Sequence, residues 1–307
     1  TVVSSLAGYG QGAVLSFRAL LTDLAGNKKD GFASNATLIV DTIVPVDFTT
    51  GAVVVSGGVV ESGYWNGSNS GLTVSVPIAD DASLVDGTVQ IQGRVGNGSY
   101  VALGSLVSLS SGDLGTNKVI SIIDSDLSGH ADYDQGQVFS FGAVLTDVAG
   151  NKQEGSPSSD MLTIDTVVPR GGLSYTVGGV AVSRVKQGVD VLVTATMSEA
   201  IANAPVLQLS ASGSNTISAV DMTRDSTTSY SYLWRVGAGD GTTSFVLSLG
   251  RDLAGNVAAA TPTTGVGIVV DNTVPSDFTL GVVTAVGGEV ELGYWNASNS
   301  GLTVSVP

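Results

Sequence analysis

Short runs in which every second residue is apolar recur along most of the chain. Leu72, Val74 and Val76 alternate with Thr73 and Ser75, and Val89 and Ile91 with Gln90 and Gln92. Phe139, Phe141, Ala143 and Leu145 share one side of a further run. The same habit returns at Val189, Val191 and Val193, at Tyr230, Tyr232 and Trp234, and at Phe245, Leu247 and Leu249. A period of two, interrupted by Gly, Asn, Asp and Ser, predicts half-buried β-strands. No stretch of a dozen residues carries the 3.6-residue period of an amphipathic helix. The pattern therefore predicts an all-β chain.

The pattern itself repeats. Asp-Leu-Ala-Gly-Asn stands at Asp23–Asn27 and Asp252–Asn256, and Asp-Val-Ala-Gly-Asn at Asp147–Asn151. Each is followed by a strand-like run closing in Asp and then Val-Pro, at Asp41–Pro45, Asp165–Pro169 and Asp271–Pro275. The two landmarks keep the same long-then-short spacing, so they mark one repeat unit. Residues 46–77 and 276–307 are identical at 23 of 32 positions. Residues 1–45 and 125–169 are identical at 23 of 45. The expected organisation is the closing part of a long repeat (1–45), a complete long repeat (46–169), a complete shorter repeat (170–275) and the opening part of another long repeat (276–307).

Roughly seven strands in ~100 residues is the count of an immunoglobulin-like β-sandwich. A closed barrel would also be all-β. A solenoid is disfavoured, because its period would be ~20–30 residues rather than above ~100. The proline closing each repeat lacks a ladder donor and fixes φ, so it ends the strand and stiffens the link. The next strand is expected to start at Phe48 or Phe278. So short a link predicts tandem sandwich domains in an elongated array, each adding roughly 35–45 Å.

Composition narrows the function. The 307 residues carry a net charge of −15 and no cysteine. Phosphate neutralisation of nucleic acid is thereby disfavoured, and disulfides, thiolate nucleophiles and Cys-based zinc sites are excluded. No apolar run approaches the ~20 residues needed to cross a bilayer as a helix. The chain has one histidine, His130, with Leu6 at the matching position of the opening segment, and no nucleophile elbow. Gly237–Gly241 is glycine-rich, but no Lys follows it to make a phosphate loop. A non-enzymatic protein is expected.

Asp-x-Ala-Gly-Asn followed by a strand ending in Asp-Thr-x-x-Pro resembles the bacterial Ig-like tandem repeats of giant surface adhesins and biofilm-associated proteins. Met197-Ser198-Glu199, with the Ala204–Leu209 run after it, resembles a variant of that class. The resemblance implies an extracellular location at a bacterial cell surface. It also implies Ca²⁺ held by aspartates near domain junctions, and here it points to Asp23, Asp147 and Asp252 with Asp41, Asp165 and Asp271. The residues alone show recurrent acids at junctions, and a plain turn, with Gly and Asn tolerating positive φ, accounts for the motif equally.

Two further acidic groups belong to the long repeat: Asp80 and Asp81 with Asp86, and Asp124, Asp126, Asp132 and Asp134. Carboxylates at this spacing suit a hard cation, and a solvated loop is the alternative. Gly8 and Gly10 stand where Asp132 and Asp134 would in the opening segment, so that second group is not general to long repeats. The loop Gly63-Tyr64-Trp65-Asn66 returns at Gly293–Asn296. Tyr64 and Trp65 would either face a ligand such as a cell-surface glycan or plug the end of a sandwich.

Three functions follow as expectations: a structural or adhesive stalk stiffened by Ca²⁺, a building block of a polymeric sheath, surface layer or filament, and a binding module using the Tyr64–Trp65 loop. Their partners would be neighbouring repeats, other copies of the chain, or glycans.

Overall fold

The computed structural model describes residues 3–306, and its regular secondary structure is almost wholly strand. The opening segment holds β1 (Val14–Ser16) paired with β4 (Thr37–Ile39), and β2 (Leu20–Thr22) paired with β3 (Lys28–Asp30). Its apolar side chains are largely open to solvent, Leu24 and Phe32 fully so.

The central region contains β5 (Val53–Ser56), β6 (Tyr64–Trp65), β7 (Gly71–Pro77), β8 (Thr88–Val95), β9 (Val101–Ser108), β10 (Asn117–Ile123), helix α1 (Asp124–Ser128), β11 (Val138–Thr146), β12 (Lys152–Glu154) and β13 (Met161–Ile164). One sheet has the order β10-β7-β5, the other β6-β13-β11-β8-β9, with β12 also on β11. All pairings are antiparallel except β6 with β13. Leu72, Val74 and Val76 from the first sheet meet Val89, Ile91, Phe139 and Phe141 from the second in one buried cluster. The period of two delivers this directly, because alternate side chains leave a strand on opposite faces.

The next region holds β14 (Gly171–Val177), β15 (Val180–Ala181), β16 (Arg184–Val185), β17 (Asp190–Met197), β18 (Gln208–Gly213), β19 (Ile217–Asp221), β20 (Thr223–Arg224), β21 (Ser229–Arg235), β22 (Gly241–Ser248) and β23 (Gly267–Val270). Its sheets run β15-β14-β17-β21-β20 and β16-β23-β22-β18-β19. The central plan recurs in its main strands, with β14-β17-β21 in place of β5-β7-β10 and β16-β23-β22-β18-β19 in place of β6-β13-β11-β8-β9, including the parallel pair, here β16 with β23, while β15 and β20 are additional and β12 has no counterpart. A second, separate core forms around Val191, Val193, Tyr230, Trp234, Phe245 and Leu247. The edge of Phe245 meets Trp234 at a centroid distance of 5.5 Å. In the closing segment β24 (Val283–Val286) pairs with β25 (Gly301–Val304).

The structure departs from the expected elements in three places. No strand begins at Phe48 or Phe278. The first paired strand of the central region starts at Val53, while Phe48 packs across Gly155, where a Cβ would collide with its ring. Leu249 leaves its run: it follows β22, is exposed and has φ +64°, so its side chain cannot continue the buried face. A single helical turn, α1, stands where only loops were expected, anchored by the buried Leu127.

Candidate cation site at the repeat junction

The Asp-x-Ala-Gly-Asn loop builds the same device three times. In Asp252–Asn256, Oδ1 of Asp252 accepts from the main-chain N–H of Asn256 at 2.9 Å, and Oδ2 accepts from Nδ2 of Asn256 at 2.9 Å. Asp147 with Asn151, and Asp23 with Asn27, make the same two contacts. The asparagine side chain, followed by backbone N–H groups of the loop, draws the Asp23 carboxyl below its ordinary range. The local chemistry is thus the turn expected of Asp, Gly and Asn.

The loop also reaches across a junction. Nδ2 of Asn256 donates to the main-chain oxygen of Asp165 at 2.8 Å, and Nδ2 of Asn151 donates to that of Asp41 at 3.3 Å. Asp165 and Asp41 are held alike. Each Oδ1 accepts from a glutamine Nε2 at 2.6 Å (Gln135 or Gln11) and from the N–H two residues on. Asp271 differs, since its carboxylate meets Arg184 at 3.0 Å.

At the link between 165 and 171 the acids converge. Ligand oxygens of Asp165, Glu199 and Asp252 lie within 4.8 Å of one another, the one such group among the described residues. Asp252 is buried, and Asp165 and Glu199 are half-buried. Burial first, then the charges of Asp252 and Asp165, push the Glu199 carboxyl up to about 7. None of the four ion pairs among the described residues touches the trio. Three points no more than 4.8 Å apart lie at most about 2.8 Å from a common centre, and Ca²⁺ takes oxygens at about 2.3–2.6 Å, so a shift of at most a few tenths of an ångström admits the ion. Six to eight oxygens are needed, so carbonyls and water must supply the rest. An acid-only, uncompensated set fits a hard cation better than zinc or copper.

The backbone holds the trio in place. Arg170 and Ser198 exchange hydrogen bonds, Arg170 N–H to Ser198 Oγ at 2.9 Å and Ser198 N–H to Arg170 O at 2.7 Å. Ala259 N–H donates to Pro169 O at 2.8 Å. The link is thus laced to the residue beside Glu199.

Of the expected ligands, Asp165 and Asp252 therefore meet, joined by Glu199 of the Met197-Ser198-Glu199 run. Asp41 and Asp147 share a junction through Asn151, and among the described residues no third carboxylate completes a trio there. Asp23 is exposed. Asp81 accepts from the N–H and hydroxyl of Ser83, Asp80 and Asp86 are exposed, and Asp86 sits at φ +65°. Asp124 and Asp126 lie on α1, where Asp126 accepts from Ile123 N–H at 3.4 Å. Asp132 and Asp134 border an open polar cleft with Tyr133 and Gln137.

Of the two readings of the Tyr64–Trp65 loop, the end plug describes Trp65. β6 lies parallel against β13 in the sheet, and this turns Trp65 into the core at 1% exposure and leaves Tyr64 half-buried. His130 is buried edge-on against Phe139 at 5.1 Å, its Nδ1 accepting from Asp132 N–H.

No family model matches the chain, and no curated protein matches it. Among solved structures it is similar to one of a 1.5-MDa bacterial ice-binding adhesin, at 19% identity and a TM-score of 0.34, with 85% of this chain and 75% of that chain covered.

Proposed function

We propose that the chain is a run of tandem Ig-like sandwich repeats, 46–169 and 170–275 with parts of further long repeats at 1–45 and 276–307. They act as the stalk of a large extracellular bacterial surface protein of the adhesin kind, with Ca²⁺ clamping a junction between repeats. The observation that carries this reading is the meeting of Asp165, at the end of one core's last strand, with Glu199 and Asp252 of the next core. A cation bound there cross-links two sandwiches at their hinge. The Ig-like assignment rests on the shared strand order and the parallel β6–β13 and β16–β23 pairs. A stalk needs few chemical groups beyond its joints, which suits a chain whose lone histidine is packed in a core. Small-angle scattering of the whole chain tests the reading. An extended particle with Ca²⁺ that becomes shorter and more variable in chelator supports it. A compact or freely jointed particle in both conditions overturns it.

A further inference from the structure

The Gly63–Asn69 loop, denied a ligand role through Trp65, has a different occupant in place. Asn66 is 1% exposed and its amide is fully engaged. Its Oδ1 accepts from Ser68 N–H and Oγ, one N–H of Nδ2 goes to Val59 O at 2.8 Å, and the other reaches Ala254 O at 2.7 Å in the next core. Gly67 N–H donates to Oδ1 of Asn256 at 3.2 Å. Asn256 is equally saturated, its two amide hydrogens going to Asp165 O and Asp252 Oδ2. Two asparagines thus interlock across the junction through contacts that involve no Glu199 oxygen.

The three copies of the Asp-x-Ala-Gly-Asn loop provide an internal comparison. Ala254 and Gly255 are buried against the Asn66 loop, whereas Ala149 and Gly150, and Ala25 and Gly26, are exposed, and neither of these follows a repeat whose Gly-Tyr-Trp-Asn loop lies within the 307 residues. All three glycines share positive φ, +95°, +95° and +91°. Only at Gly255 would a Cβ strike a neighbour, with Val59 Cγ1 at 2.8 Å and Glu61 Cγ at 3.1 Å, while nothing lies within 4 Å at Gly150 or Gly26.

The second copy of the loop has the same internal bonds. In the second copy, Asn296 N–H donates to Asn299 Oδ1 at 2.7 Å, Asn296 Nδ2 to Glu289 O at 2.8 Å, and Glu289 N–H to Ser298 Oγ at 2.9 Å. These match Asn66, Asn69, Val59 and Ser68 within the loop. Ala297 replaces Gly67. A Cβ at Gly67 would meet its nearest neighbours at 3.7 Å, ordinary contact, so the replacement leaves docking possible.

We infer that the Gly-Tyr-Trp-Asn loop of a long repeat is a receptor for the Asp-x-Ala-Gly-Asn loop of the repeat that follows, a latch between sandwiches that needs no metal, and that Gly293–Asn299 is a second receptor of this kind. The inference rests on the tandem-stalk reading and adds a joint independent of Ca²⁺.

The chain has no cysteine, so spin labels can be placed at will on the full 307 residues, for example through Ser121→Cys and Ser218→Cys, both exposed. Pulsed dipolar spectroscopy in chelator then reads the junction. The expected result is one narrow distance peak, lost in Gly255→Ala and Asn66→Asp. It should be kept in Gly150→Ala, which carries the same backbone strain in open space, and in Asn296→Asp, which makes the same change in the second copy of the loop. A distribution that is narrow only with Ca²⁺ overturns the latch and leaves the cation-clamped stalk standing. A peak insensitive to Gly255→Ala and Asn66→Asp, or equally sensitive to the two controls, also overturns the latch. A broad distribution in both conditions overturns latch and stalk together.

Discussion

Asn256 holds Asp165 by its main-chain oxygen at 2.8 Å while its own carboxamide is clamped by Asp252 at 2.9 Å. One side chain therefore ties the turn of one sandwich to the last strand of another, and it sets two of the three junction carboxylates side by side. Removing it strands the buried Asp252 oxygen. Asn256→Ala is expected to lower unfolding stability by about 1–3 kcal/mol, the usual cost of an unpartnered buried polar group. Asn27→Ala, in the exposed copy, is expected to cost far less. Denaturant titration of both variants checks this, and equal losses would count against the junctional role of Asn256.

Calcium is expected to raise the melting temperature. A ligand that binds only the folded state stabilises by about 2.7 kcal/mol at a hundredfold excess over Kd. Scanning calorimetry in millimolar Ca²⁺ against chelator should show an upward shift that Asp252→Asn and Glu199→Gln each reduce. Asp132→Asn with Asp134→Asn should leave the shift intact, because those acids lie apart from the trio. A shift lost in the latter pair and kept in the former would relocate the site.

Much of this was legible in the chain. The alternation at Leu72–Val76 and Phe139–Leu145 foretells the buried faces because a strand's side-chain period is fixed by its geometry. Asp165 and Asp252 are legible as candidates because the repeat returns them at constant places. Glu199 is not, since its sequence neighbours do not reveal that β17 ends beside the preceding link. The orientation of Trp65 was hidden for a related reason: β6 is two residues long and takes its direction from β13, about a hundred residues away in the chain. Phe48 was misplaced because an aromatic residue after a proline link has the composition of a strand, while its ring serves to cover Gly155.

Trp65→Ala should behave as a core deletion. Its side chain is 1% exposed within the central core cluster, and such truncations cost about 3–5 kcal/mol. The expected outcome is a lower melting temperature of the central sandwich. Tyr64→Ala should be milder. Retained stability together with lost binding on a glycan array would restore the ligand-facing reading.

Glu199 makes the junction pH-sensitive when no cation is present. Its carboxyl titrates near 7 in the folded chain against an ordinary value of 4.5, raised by burial and by Asp252 and Asp165. The folded state therefore holds the proton more tightly than the unfolded one. Its contribution to stability is complete below pH 4.5 and is lost as pH rises through about 7. In chelator, the melting temperature should fall across that window in the natural chain, and Glu199→Gln should flatten the fall. Calcium should act in the opposite sense, since the ion favours the ionised trio and its own binding releases the proton. The stabilisation given by a fixed Ca²⁺ concentration should thus grow from pH 5 to pH 8. If the natural chain and Glu199→Gln show the same pH dependence in chelator, the three carboxylates do not share a field and the site as drawn is wrong.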